Sequence, residues 1–161
     1  RNKRSKFNNK MNPKDETDML AAKVIRPLEK GETMVFQSKV FAIKEKKKNK
    51  KRKRLIIETR DLNKHYKYGK SLLASIIQMR SLTRNGGYLA QWDLACWYYQ
   101  IPIEKQRYFG VGKDYVFTCL PMGFVASVFV AQHLTKTLAQ EIPKSEVYID
   151  NIFTPISLTQ R

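Results

Sequence analysis

Two aspartates in this sequence end apolar, strand-like runs, and together they could serve phosphoryl-transfer chemistry. Asp93 closes the run YLAQWDL, and Asp150 stands at the tip of EVYIDNIF, between two short apolar segments. Carboxylates on neighbouring strand ends can share two magnesium ions, which activate an attacking hydroxyl and stabilise a leaving pyrophosphate. On spacing alone, two ordinary turn-forming aspartates are the stronger explanation. The choice between a metal-binding pair and two turn-forming aspartates therefore depends on the surrounding residues.

The chain carries a positive charge that is concentrated in its first half. It has 31 Lys and Arg against 14 Asp and Glu, a net charge of +17. Residues 1–70 hold 23 of the basic side chains and 8 of the acidic ones. Between Lys44 and Arg54, nine of eleven residues are basic. Such a surface attracts polyanions, with nucleic acid as the first candidate, although a solvated loop or a nuclear-import-like patch has the same composition.

The hydrophobic pattern predicts a mixture of helices and antiparallel hairpins. Helices are expected from Asn12-Pro13 to just before Pro27, over 71–82 with Ser71 as its cap, and over 127–141. Strands are expected at 34–43 and 54–59, at 88–94 as a buried strand, around Lys113-Asp114 as a hairpin, and on both sides of Asp150. This order lacks a regular βαβ alternation, which argues against a Rossmann-type sheet.

The cysteines and histidines exclude several other classes of site. Cys96 and Cys119 are the only cysteines, and both lie among apolar neighbours. This setting predicts core packing in a reducing intracellular compartment rather than a disulfide framework. With only His65 and His133 besides, no zinc cluster is expected. No apolar run approaches the roughly 18 residues of a membrane span.

Four segments, in order, resemble motifs of the reverse transcriptases. RLIIETRDLN resembles the early fingers strand, and QWDLACWYYQIPI resembles the motif that carries the first metal-binding aspartate. LPMGFVASVFVAQ resembles the turn and helix at the nascent base pair, and YIDN resembles the Tyr-x-Asp-Asp box. Their ordered conjunction, over roughly residues 34–157, is most similar to the retrotransposon type.

The resemblance implies an α+β fold, a reverse-transcriptase-like fingers and palm built from an antiparallel sheet with helices. A basic N-terminal tail and helix would occupy residues 1–33. A fingers-like hairpin and helix would follow over 34–88. A palm-like segment over 89–161 would contain an interleaved fingers hairpin at about 104–122 and would be truncated after the YIDN box.

The resemblance also implies roles for individual residues. Asp93 and Asp150 would be the catalytic, metal-binding carboxylates. Tyr98 would be an aromatic gate against the ribose 2′-hydroxyl, although packing beside its aromatic neighbours explains it as well. Nucleotide binding would further involve Arg54, Gly123 and Gln132. Nucleic-acid contacts are expected from Lys44, Lys46, Lys47, Lys48, Lys50, Lys51, Arg52, Lys53 and Arg60.

Departures from the family pattern weaken the catalytic interpretation. Asn151 replaces the second aspartate of the box, which removes one of the negative charges that would compensate two magnesium ions. Val128 stands where a proline is common. The 44–54 segment is expanded and highly basic. The chain ends ten residues after Asn151, so the sequence predicts that the primer grip, thumb and any RNase H module are missing.

Two functions from different classes follow. The leading hypothesis is a domesticated, non-catalytic member that binds RNA, either rRNA or another structured RNA, beside neighbouring proteins in a ribonucleoprotein. An organellar ribosome is a candidate host, in the mitochondrial matrix, with the nucleus as the other compartment considered, and no cofactor is expected. The alternative is an active RNA-directed DNA polymerase of a retroelement, seen as a fragment and dependent on magnesium. A pure protein-interaction module is a weaker third hypothesis.

Overall fold

The computed structural model describes residues 11–47, 50–67, 73–84 and 87–156, and its contacts group the chain into two units. The first unit combines residues 1–67 with 98–124. The second combines residues 68–97 with 125–161. Each unit is therefore assembled from two separated parts of the sequence, so neither can form from one continuous segment.

The described residues form helices and two separate sheets. In chain order the elements are α1 (Pro13–Ala21), β1 (Ile25–Pro27), β2 (Gln37–Lys47), β3 (Lys50–Glu58), α2 (Arg60–Lys64), α3 (Ile76–Ser81), β4 (Tyr88–Asp93), β5 (Gly110–Val111), β6 (Tyr115–Phe117), α4 (Val125–Leu138), β7 (Glu146–Tyr148) and β8 (Asn151–Ile156). Short 3₁₀ helices cover Trp97–Gln100 and Gln106–Tyr108. Among these residues no helix is long and apolar enough to cross a membrane.

Helix α1 begins where the sequence predicts, because Asn12 caps it and proline occupies its first turn. The predicted continuation to Pro27 is wrong, since the helix ends at Ala21. Ile25 is buried and pairs with Phe117 of β6 instead. Tertiary packing of a β-branched residue here outweighs the helical pattern of the sequence.

The first unit contains a five-stranded sheet in the order β1-β6-β5-β2-β3. Strands β2 and β3 form the predicted hairpin, and their pairing continues through the basic segment to Lys47 opposite Lys50. Strand β2 also pairs in parallel with β5, and β5 with β6 makes the predicted hairpin around Lys113-Asp114. Buried Val111, Val116 and Phe117 fix the centre of this sheet.

An ion pair ties the segment after β1 to the first unit's loops. The Arg26 guanidinium donates to both carboxylate oxygens of Glu32, at 2.7 and 2.8 Å. Its Nε also donates to Gln106 at 2.6 Å. The charge-assisted bonds from Arg26 to Glu32 lower the pKa of Glu32 to about 2, so the Arg26–Glu32 pair stays ionised across the physiological range.

The second unit contains an antiparallel sheet in the order β4-β8-β7, and α4 packs against β7. Buried Val147 of β7 and Ile152 of β8 cluster with Ala139, just after α4. The hairpin predicted around Asp150 is present, with Tyr148 opposite Asn151. Strand β4 ends on Asp93 as predicted, but the prediction that it is buried is wrong. Its side chains are largely exposed, because α4 packs against β7 at the opposite edge of the sheet.

Two further expectations are corrected. Helix α3 begins at Ile76 rather than at Ser71, which lies outside the described residues. Ser75 and Gln78 form a reciprocal capping box, and this local pairing sets the start of the helix. Cys119 is buried as predicted, and burial raises its pKa, whereas Cys96 is exposed in the turn that follows β4.

The close approach of β5 to the chain before β2 generates a prediction. An added Cβ at Gly110 would overlap the carbonyl oxygen of Phe36 and the side chain of Met34. We expect Gly110→Ala to lower the free energy of unfolding by about 1–3 kcal/mol through overpacking, measured by denaturant titration. Gly87→Ala is the control, because its Cβ would make an ordinary 3.6 Å contact. Equal effects of the two substitutions would contradict the packing described at Gly110.

Candidate functional site

Pairing between β4 and β8 brings the backbones of the two predicted carboxylate residues together. Asp93, the last residue of β4, lies opposite Asn151, the first residue of β8. The amide of Leu94 donates to the carbonyl oxygen of Asp150 at 2.8 Å. The strand end and the hairpin turn are thus joined directly, as the catalytic interpretation of the sequence requires.

The turn that carries Asp150 is strained. Ile149 adopts a φ of 56°, in the left-handed region that β-branched residues rarely occupy. A conformation of this kind costs on the order of 1–3 kcal/mol and persists only where its surroundings enforce it. Such strain is typical of functional sites, and here it sets the position of Asp150 and Asn151.

Two buried side chains of α4 enforce the strained turn. The Gln132 side chain accepts a hydrogen bond from the amide of Ile149 at 2.6 Å and donates to the carbonyl of Val147 at 3.1 Å. The hydroxyl of Thr135 lies 2.5 Å from the carbonyl oxygen of Ile149. Both side chains are buried, so these bonds form away from competing water.

The amide of Asn151 links two neighbours on the face that carries the carboxylates. Its nitrogen donates to a carboxylate oxygen of Asp150 at 2.6 Å, and its oxygen accepts from the Gln91 amide at 2.6 Å. This orientation is the only one that satisfies all three groups, because a flipped amide would place oxygen against carboxylate and nitrogen against nitrogen. The result is a continuous chain, Gln91 to Asn151 to Asp150.

This series of hydrogen bonds fits a two-magnesium centre poorly. No group of three or more His, Cys, Asp or Glu side chains in the described part of the protein could hold a metal ion. The third position of the site provides an amide nitrogen that already donates to Asp150. Two magnesium ions would bring four positive charges against the two negative charges of Asp93 and Asp150.

Gly123, in the first unit, forms a tight turn that packs against the base of the β2–β3 hairpin. Its φ is 91°, and an added Cβ would lie 3.1 Å from the carbonyl oxygen of Ile57. The Asn63 side chain donates to the Gly123 carbonyl at 3.0 Å and also contacts the Thr59 hydroxyl at 3.3 Å. Two of the sequence motifs, RDLN and PMGF, are therefore held together by one side chain.

Three further residues of the first unit that were predicted to bind nucleotide or nucleic acid lie in different structural environments. Arg60, the first residue of α2, is exposed and forms an ion pair with Glu58. Tyr98 is half-buried in the 3₁₀ helix Trp97–Gln100. Arg54 pairs with Ile43 in the hairpin. The roles inferred for these three residues stay predictions.

The basic segment forms the outer end of the β2–β3 hairpin. Its rungs pair Lys44 with Lys53, Glu45 with Arg52, Lys46 with Lys51, and Lys47 with Lys50. Like charges directly opposite each other destabilise an antiparallel pair. The positive charge of this segment is a property of its sequence, in which nine of the eleven residues from Lys44 to Arg54 are basic. Lys48 lies outside the described residues.

Some of the site follows from the sequence and some does not. Asp93, Asp150 and the neighbouring Gln132 were expected, but Gln132 bonds the backbone that supports Asp150, while its predicted nucleotide contact stays a prediction. Thr135 and Gln91 were missed. Gln91 lies two residues before Asp93, on the same face of β4, and this period of two was the available signal.

The fold is similar to solved structures of foamy viral enzymes. The native prototype foamy virus protease-reverse transcriptase aligns with a TM-score of 0.69 and 23% identity, over 92% of this chain and 21% of that one. The foamy viral protease-reverse transcriptase in complex with dsDNA aligns with a TM-score of 0.69 and 25% identity, over 87% of this chain and 29% of that one. The same kind of enzyme in complex with an RNA/DNA hybrid aligns with a TM-score of 0.70 and 22% identity, over 93% of this chain and 21% of that one.

These similarities confirm the predicted fold class, an α+β reverse-transcriptase-like fold. No family model matches the sequence. The chain spans between about a fifth and a third of the length of the three enzymes it aligns with. At 22–25% identity the likeness establishes the fold, while activity, substrate and partners need separate arguments.

The support of the strained turn generates a prediction. Gln132→Ala leaves the amide of Ile149 and the carbonyl of Val147 without their buried partner. We expect the free energy of unfolding to fall by about 2–3 kcal/mol. Gln140→Ala, an exposed substitution just after the same helix, should change it by less than about 0.5 kcal/mol. Similar unfolding curves for both variants would show that Gln132 does not hold the turn.

Proposed function

We propose that this chain binds RNA through its basic hairpin, as a structural component of a ribonucleoprotein, and that its carboxylate pair does not support DNA synthesis. The observation that carries the second part is the position of the Asn151 amide between Asp150 and Gln91. The first part is supported by the charge of the 44–54 segment and by a fold shared with enzymes solved in complex with dsDNA and with an RNA/DNA hybrid. An organellar ribosome remains one candidate host.

The electrostatics of the site favour a non-catalytic role. A carboxylate at position 151 could not donate to Asp150, and three adjacent carboxylates would repel one another unless cations lay between them. An amide removes one negative charge and supplies the missing donor. The side chains of Gln91, Asn151 and Asp150 therefore bond to one another without a divalent ion, and the protein gains little from binding one.

Restoring the carboxylate should create a response to divalent ions. In Asn151→Asp, we expect the melting temperature to fall in EDTA, because the donor to Asp150 is lost and a like charge is added. Magnesium or manganese at millimolar concentration should reverse this fall, because binding to the native state stabilises it. The melting temperature of the natural chain should change by less than about 1 °C under the same conditions. Differential scanning fluorimetry of both proteins measures these values.

Asn151→Ser is the matched control, since it removes the same amide without adding a charge. It should be destabilised equally in EDTA and in magnesium. A natural chain stabilised by several degrees in magnesium, with the response lost in Asp93→Asn, would show that the two aspartates hold metal and would contradict the proposal.

RNA binding should depend steeply on salt. Each lysine–phosphate contact to a single strand contributes about 0.7 to the slope of log K against log salt concentration. If at least four contacts form, the slope should be about −3 or steeper. Fluorescence anisotropy with a labelled 20-nucleotide oligouridine between 50 and 300 mM salt measures it. A slope near zero, or an affinity no higher than that of a charge-matched lysine peptide, would remove the RNA-binding function.

An active RNA-directed DNA polymerase is the second candidate. Adjacency of the Asp93 strand end to the Asp150 turn favours it, since that adjacency is what a carboxylate pair needs. Primer extension on an RNA template, compared between the natural chain and Asp93→Asn, separates the two candidates. We expect identical background signals. Extension by the natural chain that disappears in Asp93→Asn would establish catalysis.

A further inference from the structure

A cavity of about 320 Å³ lies in the first unit, next to the segment that leads into β5. Residues 104–108 line it together with Arg26 and Glu32. Ligand pockets in proteins range from about 300 to 1,000 Å³, so this cavity has room for one small group.

The ion pair between Arg26 and Glu32 gives the cavity a fixed polar lining. Both carboxylate oxygens of Glu32 accept from Arg26, and one of them also accepts from the amide of Glu29 at 3.0 Å. The Arg26 Nε donates to the Oε1 of Gln106 at 2.6 Å, which orients that amide. The Nε2 of Gln106 lies 3.4 Å from the carbonyl oxygen of Ile103. Because Nε2 has two hydrogens and only one has an acceptor among the described residues, the other is available to a ligand.

Lys105 and Arg107 supply the positive charge that a ligand in this cavity would meet. Both residues are exposed, and neither forms an ion pair with another residue that the structure describes. The charges of Arg26 and Glu32 compensate each other. Of the charged lining residues, this leaves two cations against the carboxylate of Glu104. The lining therefore favours an anionic group over a cationic one.

Arg107 also gives the cavity a flat surface. Its guanidinium carbon lies 5.3 Å from the centroid of the Tyr108 ring, within the range of a cation–π contact. The backbone here is fixed, because Tyr108 belongs to the 3₁₀ helix Gln106–Tyr108 and the amide of Val35 donates to the carbonyl of Arg107 at 2.9 Å. Nucleobases stack on guanidinium planes as well as on aromatic rings, and the exposure of Arg107 leaves its guanidinium accessible to such a partner.

We propose that this cavity binds one nucleotide of a single-stranded RNA, with the base stacked on Arg107 and the phosphate beside Lys105. Gln106 would donate its second amide hydrogen to an oxygen of the base. A nucleotide combines the three features that the lining selects, namely a planar ring, a negative charge and acceptor oxygens. The proposal rests on the proposed RNA-binding function and adds a base contact to it, since a lysine-rich segment such as 44–54 is suited to phosphates.

A strand without bases tests the proposal directly. Oligouridine and an abasic oligonucleotide of the same length carry the same phosphate charge, so a difference in their affinities reports contacts with bases. We expect the natural chain to bind oligouridine at least about fivefold more tightly than the abasic strand, which is the effect of stacking one base. Fluorescence anisotropy with both labelled strands at one salt concentration measures this preference.

Arg107→Lys is the decisive variant, because it keeps the positive charge and removes the planar group. We expect it to lose the preference for oligouridine over the abasic strand, while its slope of log K against log salt concentration stays that of the natural chain. Arg84→Lys is the matched control, since Arg84 is also exposed but lies in the second unit, and it should retain the preference. Lys105→Gln should instead flatten the slope by about 0.7, from one lost phosphate contact.

Uridine monophosphate distinguishes RNA from a free nucleotide, which has the same chemistry. We expect it to displace oligouridine only at millimolar concentrations, because a single nucleotide cannot contact the cavity and the 44–54 segment together. Displacement at micromolar concentrations that disappears in Arg107→Lys would identify a free nucleotide as the ligand and would overturn the proposal.

The remaining outcomes separate failure of this inference from failure of RNA binding itself. Equal affinity of the natural chain for the two strands would overturn the base contact and leave RNA binding in place. A preference for oligouridine that survives in Arg107→Lys would place the base contact elsewhere and would also overturn the inference. Absence of binding to either strand would overturn the proposed function together with it.

Discussion

The strained turn at Ile149 is the feature on which the second unit's candidate site depends. A β-branched residue at a φ of 56° is unfavourable by itself, and it persists because Gln132 and Thr135 bond the peptide groups around it. Helix α4 thus sets the position of Asp150 and Asn151 through the backbone. The same geometry that would present a catalytic carboxylate here presents a carboxylate already bonded to an amide.

An amide nitrogen in place of a carboxylate oxygen at position 151 changes whether this arrangement can bind metal. An aspartate at position 151 would leave three carboxylates in need of cations, whereas Asn151 supplies a donor and connects Asp150 to Gln91. The scaffold of a metal site is therefore retained while the charge that would attract metal is reduced. Positive charge is instead concentrated in the sequence of the β2–β3 hairpin, in the first unit, and such a charge favours a polyanionic ligand.

Sequence patterns predicted the hairpins, because turn residues and apolar alternation act locally. They failed where tertiary contacts decide: Ile25 pairs with Phe117 rather than extending α1, and β4 is exposed because α4 packs against β7 instead. The motifs located Asp93 and Asp150, but the roles of Gln91 and Thr135 depend on register and helix packing that no short motif encodes.

The most direct test of the account is an experimental structure of the chain with oligouridine in a manganese-containing buffer, using the anomalous signal of manganese to locate the ion. We predict RNA phosphates along the basic 44–54 segment, with the Asn151 amide bonded to Asp150 and no anomalous peak between Asp93 and Asp150. A manganese ion bridging the two carboxylates, with Asn151 rotated away and an RNA or primer end beside it, would contradict the account.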